Sequence, residues 1–342
     1  MTVIDGIEID HIRLYERNVI KEAVRNNSPI EDNLHVIMVV SNPCQYKKRY
    51  ILARNFIERM LDEENVILYI VELCHNNQEF VVTDKKNRRH LQIRTDTAPL
   101  WHKENMVNMG VKHLLPKNWK AVAWVDADIE FESNTWALDT LKILNGCKDI
   151  VQIFSQAIDL NHDNTPMNIF TSAGYQLCKG YKYCGRGIGY WHPGFAWACT
   201  RKAYEKMGGL YDLGILGSGD NIMMLSLIKN GQKALSDQNH ENYLQSVADF
   251  QDRVKNLRFG YVPTTIRHYF HGVKKNRKYA ERWQILIDHD YNPETFVTRR
   301  DDDLLVPTSL CPQGLLEDIM KYFRERNEDD FAAFCRYPVL RK

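Results

Sequence analysis

"AVAWVDADIEF", residues 121–131, joins an uninterrupted apolar segment to two aspartates that stand one residue apart. Ala121 to Val125 are all apolar, which is typical of a strand buried on both faces of a parallel sheet. Residues two apart in an extended chain point to the same side, so Asp126 and Asp128 are expected to present their carboxylates together. Like charges this close repel each other unless a cation lies between or beside them. The stretch therefore predicts a buried strand that ends at a charged site.

The segments before this strand alternate between the two kinds of secondary structure. Apolar, β-branched runs predict strands over His35 to Ser41 and Asn65 to Leu73, and helical spacing of apolar residues predicts helices over 47–61 and 103–115. Residues 78–96 are expected to form two short strands around a polar turn. This order predicts an α/β fold with a mainly parallel sheet, in which ligands bind beyond the carboxyl ends of the strands.

The composition is that of a globular protein with no large excess of charge of either sign. Of the 342 residues 44% are hydrophobic, and the net charge of +1 argues against nucleic acid or an anionic membrane as the main partner. The sequence has neither a signal-peptide pattern nor the roughly 20-residue apolar run of a membrane span, so we expect a cytoplasmic protein. Its eight cysteines lack CxxC spacing, which argues against a compact zinc site and predicts reduced thiols.

Histidines and cations far downstream could complete a metal site at the two aspartates. Mg²⁺ or Mn²⁺ is typically held by one or two carboxylates together with the phosphate oxygens of a substrate, which suits Asp126 and Asp128. The segment "IRHYFHG", residues 266–272, adds His268 and His271, and it is followed by the cations Lys274, Lys275, Arg277 and Arg282. Imidazole nitrogens can complete a Mn²⁺ site, and the neighbouring cations suit a diphosphate. Solvated carboxylates and ordinary surface histidines are the alternative interpretation.

Three segments resemble the inverting beta-galactosyltransferase group of the GT-A glycosyltransferase superfamily. The first, residues 99–131, carries an aromatic residue, a basic residue, an Asn-x-Gly and a terminal Asp-x-Asp, which are Trp101, Lys103, Asn108, Gly110, Asp126 and Asp128. The second is "FAWACTRKAYEKMGGLYDLGILGSGDNIMM", residues 195–224, and the third is "IRHYFHGVKKN", residues 266–276. They occur in the family's order, and the resemblance spans about residues 35–285.

The resemblance implies a GT-A, Rossmann-like fold with a mainly parallel central sheet flanked by helices. Residues 1–33 are then a lead-in segment, and residues 34–285 form the glycosyltransferase domain, with a nucleotide-sugar half over 34–131 and an acceptor half over 132–285. Residues 286–342, with a predicted helix in "GLLEDIMKYFRER", form a small C-terminal extension that packs on this domain or mediates self-association.

The resemblance also implies roles on the donor side of the site. Asp128 is expected to bind Mn²⁺ or Mg²⁺, with Asp126 as a further ligand or near the ribose, and His268 as the third protein ligand, for which His271 is the substitute. The residues expected to bind the UDP-sugar are Ser41, Asn42, Pro43, Glu72, Trp101, Lys103, Asn108, Asp126 and Lys274. For Glu72, which would accept a hydrogen bond from the base, a solvated strand end is the alternative.

Asp220 is the candidate catalytic base. The family has a Glu-Asp-Asp run after its Gly-rich turn, whereas this chain reads "GSGDN" over residues 217–221, with a single acid. Either the register shifts by one residue or the base comes from elsewhere. The reaction needs a carboxylate that takes the proton of the acceptor hydroxyl, and Asp220 is the one acid in that turn. The alternative role of Asp220 is to cap the helix that follows.

Aromatic residues around a Pro-Gly turn are expected to form the acceptor wall. The segment "GYWHPGFAWACTRKAY", residues 189–204, carries Trp191, His192, Phe195 and Trp197, whose rings can stack on sugar CH surfaces. For Trp197 and Phe195 a place in the core is the alternative. The preceding Gly- and Tyr-rich segment, residues 179–190, is predicted to be a loop that orders over the bound donor.

Together these features predict a metal-dependent hexosyltransferase that uses a UDP-sugar and a glycan or other hydroxyl acceptor. Inversion of configuration is implied by the resemblance alone, and a retaining GT-A enzyme is one alternative. The others are a metal-dependent nucleotidyltransferase and a catalytically inactive sugar-binding module. Neither the sugar, the acceptor nor the oligomeric state can be predicted from the sequence.

Overall fold

The structure is a computed structural model that describes residues 2–4, 7–9, 26–187, 189–278 and 281–329. Its strands in chain order are β1 Thr2–Ile4, β2 Ile7–Ile9, β3 Leu34–Ser41, β4 Val66–His75, β5 His90–Thr95, β6 Ala121–Val125, β7 Ile129–Phe131, β8 Ile150–Gln152, β9 Gln156–Leu160, β10 Pro166–Ser172, β11 Trp191–His192, β12 Ala196–Thr200, β13 Phe259–Tyr261, β14 Thr265–His268, β15 Val297–Arg299 and β16 Leu305–Pro307. Its α-helices are α1 Lys47–Asp62, α2 Lys103–Leu114, α3 Trp136–Leu144, α4 Ala173–Cys178, α5 Arg201–Met207, α6 Gly219–Leu227, α7 Glu241–Val254, α8 Arg282–Asp288 and α9 Gln313–Glu325.

A seven-stranded sheet forms the centre of the molecule, in the order β13-β8-β12-β6-β3-β4-β5. Strands β3, β4, β5 and β6 run parallel to one another, and β8 runs parallel to β13. Only β12 runs against its neighbours β6 and β8 in this sheet. The expected α/β fold with a mainly parallel sheet is confirmed.

Both faces of the central sheet are covered, which explains the apolar runs that predicted its strands. Alternate residues of β3 point to opposite faces, so that Ile37 packs in one core with α2, α6 and α7, while Val36 and Met38 pack in the other with α1 and α3. The described part of the predicted C-terminal extension contributes Leu315 and Ile319 of α9 to the first core. The prediction that residues 286–342 extend a domain ending at 285 stays a prediction, and Cys335 lies outside the described residues.

A second sheet, in the order β11-β10-β9-β14-β7, lies where the chain leaves β6. Strand β14 pairs with β7 on one side, placing His268 opposite Ile129, and with β9 on the other, placing His268 opposite Asp159. This pairing brings the end of a strand near residue 268 to the turn that follows β6. The second sheet therefore positions residues that are more than a hundred positions apart in the sequence.

Of the two short strands expected over residues 78–96, only the second forms, and it is β5. Residues 79–83 form no strand, since the backbone N–H groups of Val81, Val82 and Thr83 donate to the Glu72 carboxylate rather than to a neighbouring strand. Strand β5 pairs in parallel with β4 instead of forming a hairpin. Within the described ranges, no helix is both long and apolar enough to cross a membrane.

Candidate active site

A cavity of about 790 Å³ opens at the carboxyl ends of β3 and β6. Because these strands are parallel neighbours, the segment after β3, residues 41–43, and the turn after β6, residues 126–128, line the same cavity. The N-termini of α2 and α6 form another part of its wall, and a further side is formed by His268, His271, Lys274, Arg277 and Arg282. The sequence-predicted donor and metal segments therefore meet in one place.

Asp128, His268 and His271 form a group that could hold a metal ion, with one ligand atom of each lying within 4.8 Å of the others. The His271 Nε2 is 2.7 Å and the His268 Nε2 is 3.7 Å from the Asp128 Oδ2. The backbone N–H of Tyr269 donates to the Asp128 carbonyl over 2.7 Å, which ties the histidine segment to the aspartate turn. The structure thus brings both histidines to the same carboxylate.

The chemistry of this group fits a divalent cation such as Mn²⁺. The second carboxylate oxygen, Asp128 Oδ1, is buried without a hydrogen-bond partner, which leaves a charged acceptor free for an ion. Burial opposes ionisation of Asp128, but His271 and His268 outweigh it and hold the pKa of the carboxyl well below its usual range. One carboxylate and two imidazoles supply three ligands, so positions remain for the oxygens of a substrate phosphate.

Asp159 on β9 orients His268 from behind and is not among the residues predicted from the sequence. Its Oδ1 lies 2.6 Å from His268 Nδ1, which turns Nε2 of the ring toward Asp128. Lys274 donates to the other oxygen over 2.5 Å, so this predicted donor-site cation lies beside the metal group. An acid within an apolar strand, "QAIDL", is the same signal as the one after β6, and it could have drawn attention to Asp159.

Asp126 does not belong to the metal group, although the sequence predicted it as a ligand. The chain turns at residues 126–128 instead of staying extended, so the two carboxylates do not point the same way. Asp126 forms an ion pair with Lys103, the first residue of α2. Burial disfavours the Lys103 ammonium, but Asp126, with Asp220 and Glu104, outweighs it and raises the pKa of the lysine. The two aspartates therefore have different partners.

Ser41, Asn42, Pro43 and Trp101 line the cavity, whereas Glu72 and Asn108 do not. The Glu72 carboxylate is 1% exposed and holds residues 81–83, including the Thr83 hydroxyl at 2.6 Å. It therefore has no oxygen turned toward the cavity for a base, which corrects the sequence-based role.

Asn108 joins α2 to the chain after α5. Its Oδ1 accepts from the Leu210 N–H and from the Tyr204 hydroxyl, both over 2.8 Å, and its Nδ2 donates to the Leu210 carbonyl. Its amide is thus used within the protein, and the expected role in donor binding is corrected to a structural one.

The acceptor side differs from the expected aromatic wall at Trp191 and Trp197. His192 lines the cavity, and burial lowers its pKa to about 3, so the ring is neutral. Trp191 and Trp197 are core residues, 2% and 1% exposed, and Trp197 donates its Nε1–H to the Pro193 carbonyl. Phe195 lines the cavity beside His192, and the other aromatic rings on this side are those of Phe170, Tyr183 and Tyr190. Tyr183 and Tyr190 come from the Gly- and Tyr-rich segment that was predicted to close over the donor.

Asp220 lines the cavity from the first turn of α6. The N-cap position of this helix belongs to Ser218, so the alternative role of Asp220 as the cap is not the one observed. A Cβ atom at Gly194 would lie 2.8 Å from Asp220 Oδ2, so the absence of a side chain there leaves room beside the carboxylate. Asp220 is therefore placed where an acceptor hydroxyl in the cavity could reach it.

The C-terminal segment contributes Phe323, Arg326 and Glu328 to the cavity wall. The Glu328 carboxylate pairs with Arg49 and Arg326, and one of its oxygens is 3.9 Å from His271 Nδ1. Residues 286–342 were not predicted to take part in the site, and no local motif in this segment would have indicated it.

No protein-family model matches the chain, and no curated protein sequence matches it significantly. Solved structures that resemble it include the catalytic domain of a Drosophila beta1,4-galactosyltransferase 7 in complex with xylobiose, at 10% identity and a TM-score of 0.36, which covers 81% of this chain and 94% of that one. A mutant of that enzyme in complex with manganese, UDP-Gal and xylobiose gives 11% identity, the same coverages and a TM-score of 0.35. A putative nucleotide-diphospho-sugar transferase from Desulfovibrio desulfuricans is 10% identical, with a TM-score of 0.29, and the match covers 86% of this chain and 99% of that one. At these low scores, the function is inferred from the site itself.

Proposed function

We propose that this protein is a metal-dependent glycosyltransferase that moves a hexose from a UDP-sugar to a hydroxyl acceptor. The observation that carries the proposal is the group of Asp128, His268 and His271 on the wall of a 790 Å³ cavity at the carboxyl ends of two parallel strands. A cavity of this size suits a nucleotide sugar, and such strand ends are where open α/β sheets bind ligands.

A divalent cation, Mn²⁺ or Mg²⁺, would be held by Asp128, His268 and His271. When bound, it would offset the negative charge that develops on the diphosphate as the sugar leaves. Lys274 is fixed by Asp159, and Lys103 is fixed by Asp126, so both ammonium groups are held in place before a substrate arrives. Their role is to bind and orient phosphate oxygens.

The nucleoside end of the donor is expected to lie against residues 41–43 and Trp101. These residues line the cavity at the carboxyl end of β3 and just before α2. The Trp101 ring is held by Arg326, whose guanidinium carbon is 5.0 Å from the ring centroid. A fixed aromatic face of this kind is suited to a base or a ribose.

Asp220 is the proposed general base of a single displacement, and inversion of configuration is part of the proposal because the family resemblance implies it. Its carboxylate would take the proton of the acceptor hydroxyl while the hydroxyl oxygen bonds to the anomeric carbon and the bond to the diphosphate breaks. His192, Phe170 and Tyr190 would hold the acceptor sugar on the same side. A retaining enzyme would give a product of the opposite anomeric configuration, which NMR of the product distinguishes.

The test is a panel of UDP- and GDP-sugars scored for Mn²⁺-dependent release of the nucleoside diphosphate. Asp128→Asn removes a charged ligand and is expected to lower this release by at least 100-fold, together with Mn²⁺ affinity measured by calorimetry. Asp237→Asn, at an exposed aspartate outside the cavity, is the matched control and is expected to behave like the wild type. Nucleotidyl transfer would give pyrophosphate or a nucleotide-linked product instead, and an inactive binding module would bind a sugar nucleotide without releasing UDP. Either result would refute the proposal.

A further inference from the structure

Behind Asp220, a second carboxyl faces the start of α6. Glu104 is the second residue of α2, and Gly219 and Asp220 are the first two residues of α6. The N-termini of the two helices meet at this point, and Glu104 is only 7% exposed. The sequence motifs assign no role to Glu104, and a buried carboxyl at this position needs a physical explanation.

The Glu104 side chain occupies the space that a side chain at position 219 would need. A Cβ atom built on Gly219 would lie 2.5 Å from Glu104 Cδ and 2.6 Å from its Oε1, which is closer than non-bonded atoms approach. Gly219 is not among the glycines with positive φ, so its backbone is one that other residues adopt. A side chain at 219 would therefore have to displace the Glu104 carboxyl, whereas the backbone conformation at 219 does not itself require glycine.

The surroundings of Glu104 combine apolar walls with a few charged groups. Glu104 and Asp220 both line a small cavity of about 10 Å³, close to the volume that one water needs, whose walls include Val107, Trp124, Trp197 and Met223. The titratable groups that face Glu104 are Lys103 on its own helix, Asp220 on α6, Asp126 after β6, Tyr243 on α7 and Tyr211 beside the cavity. Burial, with a contribution from the Asp220 charge, raises the pKa of Glu104 to about 8, against the opposing effect of Lys103.

We propose that Glu104 is a positioning residue that works through Asp220, with which it forms a pair of carboxyl groups. Its carboxyl, which comes from α2, occupies the space that a side chain at position 219 would fill. The inference rests on the proposed function and extends it to the fate of the acceptor proton. Asp220 takes the proton from the acceptor hydroxyl as the new glycosidic bond forms, and the electron pair of the broken bond leaves with the diphosphate. The proton then passes from Asp220 to ionised Glu104, which restores the Asp220 carboxylate, and Glu104 releases it to solvent before the next turnover.

This assignment predicts a pH profile that a purely structural residue would not produce. Glu104 can receive a proton only when it is ionised, so kcat of the wild type is expected to rise as the pH passes through about 8. Glu104→Gln keeps the shape of the side chain but cannot take the proton. We expect kcat at pH 8.5 to fall about 10- to 100-fold in this variant, the rise near pH 8 to disappear, and KM for the donor to stay within about twofold.

A relocated carboxyl gives the sharper test. Glu104→Ala alone is expected to lose activity, and the double variant Glu104→Ala with Gly219→Glu, which moves the carboxyl to the other helix, is expected to recover at least tenfold in kcat. Glu241→Gln, which removes an acid from the first turn of α7, is the matched control for the effect of charge at a helix N-terminus. If Glu104→Gln also lowers the melting temperature, the double variant decides: recovery supports the proposal, and no recovery overturns it.

A titration separates this proposal from the proposed function. The pKa of the Glu104 carboxyl, followed by ¹³C NMR with Glu104→Gln as the assignment control, is expected to fall in Asp220→Asn, because the Asp220 charge contributes to raising it. If no sugar nucleotide is turned over, the proposed function fails while this coupling is still measured. If turnover occurs and Glu104→Gln retains the wild-type kcat and pH profile, the acid pair is refuted and the function stands.

Discussion

Asp126 and Asp128 are separated by one residue, yet each carboxylate faces a different partner. The turn at residues 126–128 directs Asp126 to Lys103 of α2 and Asp128 to His268 and His271. The repulsion between the two charges is thereby offset on each side by a separate group, as the sequence required of a strand with this ending. At the scale of single residues, the charged pair could be predicted from the sequence, but the separate partners of Asp126 and Asp128 could not.

The first prediction concerns Asp159, which acts on the metal group only through His268. Asp159→Asn weakens the hydrogen bond that fixes the ring, so we expect Mn²⁺ affinity to fall about 10-fold, within the 10- to 100-fold range of such changes. Calorimetric titration of Mn²⁺ into the purified protein measures the effect. Asp163→Asn, at an exposed aspartate just after β9, is the control and is expected to leave the affinity unchanged. Equal affinities in the two variants would show that Asp159 does not support the site.

At the scale of elements, the segments predicted with success are those with strong internal patterns. The strand expected over His35 to Ser41 is β3, one residue longer, and the helix expected over 103–115 is α2, one residue shorter. Residues 78–96 were predicted in part wrongly, because the two expected strands take no account of the acid that binds the backbone of residues 81–83. Glu72 lies nine residues before Val81, and no local spacing indicates that its carboxylate replaces a strand partner.

The second prediction follows from this use of Glu72. Glu72→Ala leaves the N–H groups of residues 81–83 without their acceptor, so we expect the free energy of unfolding to fall by about 2–3 kcal/mol. Urea denaturation followed by circular dichroism measures this change. Glu79→Ala, an exposed glutamate in the same loop, is expected to stay within about 0.5 kcal/mol of the wild type. A loss in Glu72→Ala no larger than in Glu79→Ala would contradict the anchoring role.

At the scale of the whole molecule, the end of the described chain closes the site. The Tyr46 hydroxyl donates to the carbonyls of Phe323 and Arg324, and the Asp329 carboxylate accepts from the first two N–H groups of α1. These contacts join residues about 280 positions apart, and so no pattern within residues 286–342 could predict them. The fold class and the position of the donor segments were within reach of the sequence, since they rest on local periodicity and on strand ends. The closure of the cavity by α9 and the residues after it was not.

The last prediction tests this closure through Glu328. Glu328 is 2% exposed, and its carboxylate accepts from Arg49 Nε and from Arg326 Nε, each over 2.9 Å. Glu328→Gln leaves two guanidinium groups without their counter-charge, so we expect the free energy of unfolding at pH 7 to fall by about 3 kcal/mol. Glu325→Gln breaks a more exposed pair with Lys278 near the same helix end and is expected to cost less than about 1 kcal/mol.

The same variant has a defined pH dependence. Burial alone would raise the pKa of Glu328, but Arg49 and Arg326 outweigh it and hold the pKa well below its usual range. The contribution of Glu328 to stability is therefore full above the unfolded pKa of about 4.3 and is lost as the pH falls toward the folded value. The difference in unfolding free energy between the wild type and Glu328→Gln is expected to be constant from pH 7 to about 5.5 and to shrink below that. Urea denaturation across this pH range measures the difference. A difference that grows on acidification would contradict the role of the ion-pair cluster in holding the C-terminal segment over the cavity. So would a loss in Glu328→Gln at pH 7 that equals the loss in Glu325→Gln.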